Sequence, residues 1–231
     1  VAFVASALVG LLMFYGGIVI QAAFIGLVVY RLFRNNTGKS VGDTDKDDSF
    51  RLMMRTQDPV ILWDLLSKHV SRTQSYMANF AIEQYKMIIE GFVTDKPSLL
   101  RHAARDLHNE KTILLKYRRQ ELLALRKAPM DIAIERNTWF HVGINASQQY
   151  IYVLRRMLDP IKEHVDNNFT PITPELVEEY QPIYRKVIDL ISQTEKTIAT
   201  GRFENYRQVL DEAEQFETEL SSIRKQHIDR I

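Results

Sequence analysis

The chain has no cysteine, only 9 glycines and 7 prolines in 231 residues, and a formal net charge of +1. Without cysteine there is no thiol nucleophile, and the lack fits a reducing compartment. With Lys+Arg 30 against Asp+Glu 29, no basic excess draws the chain to nucleic acid. There is no glycine-rich phosphate loop, no His-Glu-x-x-His pair and no Gly-x-Ser-x-Gly elbow, so the familiar motif-bearing enzyme classes are not indicated. Nor does any stretch alternate for long with period two, and no hairpin signal occurs, so strands are not expected.

Charge is missing altogether from residues 1–30, where Ser6 and Gln21 are the main polar breaks. A run of this kind is long enough to cross the hydrocarbon core as one helix. It has no basic leader and exceeds the apolar stretch of a secretory signal. Arg31, Arg34 and Lys39 come directly after it and no basic residue precedes it, which places the C-terminal remainder of the chain in the cytoplasm. Val1 is not an initiator methionine, and residues 1–34 are expected to be the last transmembrane helix of a larger parent. Its expected partners are membrane lipid and upstream transmembrane helices. Gly10, Gly16, Gly17, Gln21 and Gly26 suit close helix packing in lipid, though an ordinary span also tolerates them.

Residues 35–56 read as a flexible polar linker, with Asn35-Asn36-Thr37-Gly38 preceding Asp43-Thr44-Asp45-Lys46-Asp47-Asp48. The acids do not meet the glycine and glutamate spacing of a calcium-binding loop.

Residues 57–231 carry helical periodicity throughout. A first helix is expected from Asp58 to about Phe92, with Leu62, Leu66, Val70, Thr73, Met77, Phe80, Gln84 and Met87 as its stripe. A second begins at Pro97 and reaches about Lys127, with Leu100, Ala104, Leu107, Leu114, Tyr117 and Leu122 on one face. Its terminal Arg118, Arg119, Arg126 and Lys127 complement the carbonyl end of the helix dipole. A third is expected from about Asp131 to Asn167, kinked or interrupted at Pro160. Thr173-Pro174-Glu175 starts a fourth, which Pro182 is able to bend and Gly201 caps. A fifth runs from about Phe203, striped by Tyr206, Val209, Leu210, Ala213, Phe216, Leu220 and Ile223. The fold class is therefore all-α: an up-and-down bundle of about five long antiparallel helices behind the membrane helix. The first three make one unit, and the last two begin a second, incomplete one.

Asp106 and Glu110 lie one turn apart on one helix face, a spacing that lets two carboxylates share a hard cation, with His102 one turn further back. The alternative is a solvated face screened by Arg105 and Lys111. Asp159 and Glu163 repeat the spacing across Pro160. Asn137, His141, Asn145 and Gln149 recur at steps of four. They form an interhelical network, a water-lined groove or a partner surface, or else a plain solvent face. No catalytic residue is assigned, and the chain is not expected to be an enzyme.

The segments Leu100 to Lys111 with Arg118-Arg119-Gln120-Glu121-Leu122, and Val209 to Leu220, resemble the second helices of successive PhoU repeats. The PhoU fold is a pair of three-helix bundles. Behind a final transmembrane helix, residues 57–231 resemble the cytoplasmic PhoU-like tail of bacterial sodium- or proton-coupled phosphate transporters. Glu135 to His141 and Glu163 to Asn168 are also similar to tails of that group. The resemblance implies a bacterial inner-membrane location, inorganic phosphate as the parent's substrate, and a regulatory or structural role for the bundle. It also implies a divalent or ferric ion at Asp106 and Glu110, or at Asp159 and Glu163; separately, an incomplete second unit leaves an apolar groove that a second copy could cover. Two departures are evident: each acidic pair ends in Glu where the family pattern has Asp, and the Arg-Gly-Asp signature of the third helix is missing. Two other readings share the outline: a single-span helical signalling or scaffold protein, and a histidine-kinase-like dimerisation region.

Overall fold

The computed structural model describes the backbone of residues 41–128 and 130–228, and side-chain surroundings for residues 48–128 and 140–225. The expected transmembrane helix, residues 1–34, lies outside the described residues. Among the described residues no helix is long and apolar enough to cross a membrane, and all regular structure is helical. The helices are α1 (Val41–Arg55), α2 (Pro59–Val93), α3 (Pro97–Leu125), α4 (Met130–Asp166), α5 (Pro174–Thr200) and α6 (Tyr206–Ile228).

Helix α1 corrects the expected linker, because residues 41–55 of that stretch are helical. Its acids cluster early and its Arg51 and Arg55 late, which matches the helix dipole. Asp48 and Arg51 pair across one turn at 3.7 Å. The chain divides into two compact units, residues 1–51 and 52–231. In the second, Met53 is fully buried, and the Lys127 ammonium at the end of α3 donates to the Met54 carbonyl.

The remaining helix ends reflect local chemistry. The Asp58 carboxylate accepts from the N–H of Val60 at 2.8 Å and of Ile61 at 3.2 Å, with Pro59 in the first turn of α2. The α2–α3 turn closes with Lys96 N–H donating to the Gly91 carbonyl at 2.8 Å. Gly91 suits the close approach there: a Cβ on it would stand 2.8 Å from Leu100 Cδ2, so that side chain would have to shift. Thr173 caps α5 through Leu176 N–H, and Gly201 ends it at φ +63°. Of the kink or interruption expected at Pro160, the interruption does not occur. Helix α4 runs through it as one element, with Pro160 at an exposed position, where an unpaired carbonyl one turn back can be solvated.

Helices α2, α3 and α4 each pack on the other two, α5 packs along α2, and α6 packs on α5. Residue pairing gives the directions. His69 meets Glu121 and Tyr76 meets Glu110, so α3 runs antiparallel to α2. Tyr85 meets Tyr184 and Ser75 meets Glu195, so α5 is antiparallel to α2 as well. The expected separation of the last two helices is therefore modified: α5 shares α2 with the first unit. One core cluster is built from Met77, Ala81 and Ile88 of α2, Leu100, Ala103, Leu107 and Leu114 of α3, and Ile151, Leu154, Leu158 and Val165 of α4, and Leu62, Leu66, Val70, Phe140 and Ile144 are buried besides it. At its lower end the His164 ring meets Phe92 and Phe169 edge-on, and its Nε2 lies 2.9 Å from the Thr170 carbonyl. These contacts fix the α4–α5 connection against α2.

Candidate functional site

The two carboxylates expected to act as a pair have separate partners, Tyr76 across the α2–α3 seam for Glu110 and His102 on α3 itself for Asp106. Glu110 is 4% exposed, and its Oε2 accepts the Tyr76 hydroxyl at 3.1 Å. Asp106 is partly buried, with Oδ2 3.1 Å from His102 Nε2. Burial, and then the negative charges of Glu110, Glu83 and Asp106, push the Tyr76 phenol well above its usual range. The seam therefore holds Tyr76 neutral, as a proton donor to Glu110. Among the described residues no group of three His, Cys, Asp or Glu side chains could hold a metal ion.

Asp159 and Glu163 are both exposed, on the outer side of α4. Asn145 and Gln149 face solvent as well, His141 is half-buried with its ring edge-on to Phe140, and the Asn137 side chain lies outside the described residues. The stripe is thus no interhelical network at Asn145 or Gln149. The buried face of α4 is instead Phe140, Ile144, Ser147, Ile151, Leu154 and Leu158, alternating steps of four and three.

Two polar constellations were not anticipated. The first is His69 of α2 with Glu121 of α3, Nε2 to Oε1 3.3 Å, both almost wholly enclosed. The edge of Tyr117 closes one side, with ring centroids 5.8 Å apart. Like Glu110, these residues sit at stripe positions, with His69 between Leu66 and Thr73 and Glu121 one turn past Tyr117. They bring α2 and α3 into polar contact inside the core, but the approach is not a hydrogen bond: the buried His69 Nε2 has no hydrogen-bond partner.

The second is a groove of about 250 Å³ between α3 and α4. Leu114 and Ile151 floor it, Leu115 and Tyr152 rim it, and Lys111, Arg118 and Arg155 surround it. Arg118 donates to the Gln148 side-chain oxygen at 3.3 Å, and the Arg156 guanidinium stands 5.6 Å from the centre of the Tyr152 ring. No carboxylate lines the groove. The basic residues of α3 were read as dipole partners, and only the antiparallel pairing of α3 with α4 brings Arg155 beside them.

The outer layer has its own contacts. Tyr85 stacks on Tyr184 at 5.6 Å; burial, and then Tyr184, push the Tyr85 phenol up to about 12. An apolar crevice of about 270 Å³ lies beside this pair, lined by Phe92, Val177 and Ile183 among others. Lys186 of α5 holds Glu212 of α6 at 3.0 Å. No family model, curated protein or solved structure matches the chain.

Proposed function

We propose that this chain is the C-terminal part of a bacterial inner-membrane inorganic phosphate transporter, and that its helical bundle is a PhoU-like cytoplasmic regulatory or structural domain. The observation that carries the regulatory half is the unequal covering of the bundle. Helix α2 buries residues from Leu62 to Gly91, whereas α5, with an apolar residue at almost every turn, buries none. An amphipathic helix left half-covered is suited to docking. The enclosed carboxylates support a non-catalytic reading, since Glu110 is held by Tyr76 and Glu121 by His69. The membrane half rests on the uncharged residues 1–30 and the arginines directly after them. Phosphate enters through the PhoU resemblance alone. In this reading the fragment does not itself transport, because a carrier needs paired repeats around a midplane site.

The test is deletion of codons 57–231 from the chromosomal gene, with uptake of radiolabelled phosphate measured across external phosphate concentrations. Uptake should persist while its dependence on phosphate supply changes. Identical uptake curves in the deleted and intact strains would sink the regulatory reading, and phosphate uptake unchanged by removal of the whole gene would sink the phosphate reading.

A further inference from the structure

We propose that the exposed face shared by α3 and α4 docks on the anionic surface of a lipid bilayer. This goes beyond the transporter reading, and neither phosphate nor the PhoU resemblance enters it.

The chain as a whole is close to charge balance, but this face is not. From His108 to Lys127, along α3 and just past its end, the exposed side chains include Lys111, Lys116, Arg119, Arg126 and Lys127, and none is acidic. The two acids of that stretch, Glu110 and Glu121, are buried against α2. Helix α4 adds the exposed Arg155 and Arg156 and has no acid between Phe140 and Leu158. The exposed Asp159 follows and marks the edge of the patch. Among the described residues, neither Lys111 nor Arg155 has a side-chain hydrogen bond or ion pair.

The same face is also apolar. Leu115 is 51% exposed, Leu123 43% and Tyr152 55%, and Leu115 and Tyr152 rim the groove floored by Leu114 and Ile151. Lys111, Leu115, Arg119, Leu123 and Lys127 follow one another at steps of four. Cations and leucines therefore alternate along one exposed line, about 24 Å long.

That alternation chooses the partner. A nucleic-acid backbone rewards the cations and leaves the leucines and Tyr152 in water. A bilayer with anionic headgroups meets both: the headgroups take the ammonium and guanidinium groups, and Leu115, Leu123 and Tyr152 enter the boundary between headgroups and acyl chains. Tyrosine favours that level, and long basic side chains reach outward from it. The chain also enters the bundle at this end, since the Lys127 ammonium donates to the Met54 carbonyl. Met54 comes, in chain order, after the uncharged residues 1–30 that are expected to span a bilayer.

With no native cysteine, single labels report on the face directly. Full-length Leu115→Cys carries a polarity-sensitive dye, and full-length Leu210→Cys, exposed on α6, is the control. Each is reconstituted with vesicles of phosphatidylcholine alone, or of phosphatidylcholine with about 30% phosphatidylglycerol. In the anionic vesicles the dye at position 115 should shift to the blue and be quenched by nitroxide-labelled lipid. The dye at position 210 should do neither, and in phosphatidylcholine both should stay in water. Adding Lys111→Glu, Arg119→Glu and Arg155→Glu should lower the lipid-exposed fraction at position 115 about tenfold. A helical circular dichroism spectrum for each variant shows that the fold is kept. Flotation separates the face from the span: a charge-reversed chain that still floats while its dye returns to water keeps the proposal and is held by residues 1–30, and one that no longer floats was held by the face. A dye at position 115 that stays in water in anionic vesicles, enters both vesicle types alike, ignores the charge reversals, or shifts only with added duplex DNA or acidic peptide overturns the proposal.

Discussion

Helices α2–α4 and α5–α6 are written in the same helical alphabet and end in different states. In the inner trio every helix has two helical neighbours within the trio, and the stripes close into one cluster. In the outer pair, Phe216 of α6 is the buried apolar residue among those described, and α5 has none. Periodicity sets which face a helix offers. The number of neighbours sets how much of that face is covered, and the second quantity is a property of topology. The inner trio therefore holds the stability and the outer pair holds the unfilled contacts.

The comparison can be broken most directly at its two phenylalanines. Phe140 on α4 is fully buried, and Phe216 on α6 is 7% exposed. Phe140→Ala should cost about 3–5 kcal/mol in chemical denaturation, as a large cavity in a closed core does. Phe216→Ala should cost clearly less, and appear mainly as faster amide exchange confined to α6 and its contacts on α5. Equal global losses from the two variants would show that the bundle is one uniform core.

The polar contacts inside the trio give the next largest effect. His69→Leu leaves the Glu121 carboxylate enclosed with its 3.3 Å partner gone, a change expected to cost about 3 kcal/mol. The paired change His69→Leu with Glu121→Leu should recover most of that loss. A double-mutant cycle measures the coupling, and additive losses would mean that the pair contributes nothing as a pair. Gly91→Ala sharpens the picture at the α2–α3 turn. Its methyl would meet Leu100 Cδ2 at 2.8 Å and Leu99 Cβ at 3.2 Å. Overpacking of about 1–3 kcal/mol is set against a helix-propensity gain of about 1 kcal/mol. A net loss of about 1 kcal/mol in thermal or urea melts is expected, and a stabilised variant would show that Leu100 yields freely.

How far the sequence revealed this can be judged from particular residues. The caps Thr173-Pro174 and Gly201 were legible because each acts through its own backbone neighbours, whereas Asp58 was read as the start of a helix and not as its cap. Residues 41–55 were not, because acid-rich composition reads as solvated chain unless the placement of charge along a helix axis is considered. Glu110 and Glu121 were misjudged for a related reason. Leu107, Glu110, Leu114, Tyr117 and Glu121 continue one alternation of threes and fours, but a stripe searched for apolar residues skips its acids. The Asn137–Gln149 series advanced by fours alone and drifted off the buried face, which alternates fours with threes. The α3–α4 groove lay beyond any local pattern, since Lys111 and Arg155 are brought together only by antiparallel packing.

The smallest expected effect is set by pH and lies in the outer pair. Hydrogen bonds from Lys186 and Gln208, and then the charge of Lys186, hold the Glu212 carboxyl below its ordinary 4.5. At the start of α5, Glu175 is also lowered, by its own backbone N–H and by Thr173. A carboxyl whose folded pKa is depressed adds stability above its unfolded value, and loses it as pH falls through the folded one. Both groups are on the surface, so the contribution of each is small and weakened by salt. Their placement makes the effect directional: acidification from about 4.5 downward should free α6 from α5, and loosen the first turn of α5, before it disturbs α2–α4. Hydrogen exchange at a series of pH values, corrected for intrinsic rates, should show α6 losing protection first. Glu212→Gln should remove the pH dependence at the α5–α6 contact while leaving that of the α5 start. Simultaneous loss of protection in all five helices of the bundle would mean that the outer pair is no separate layer.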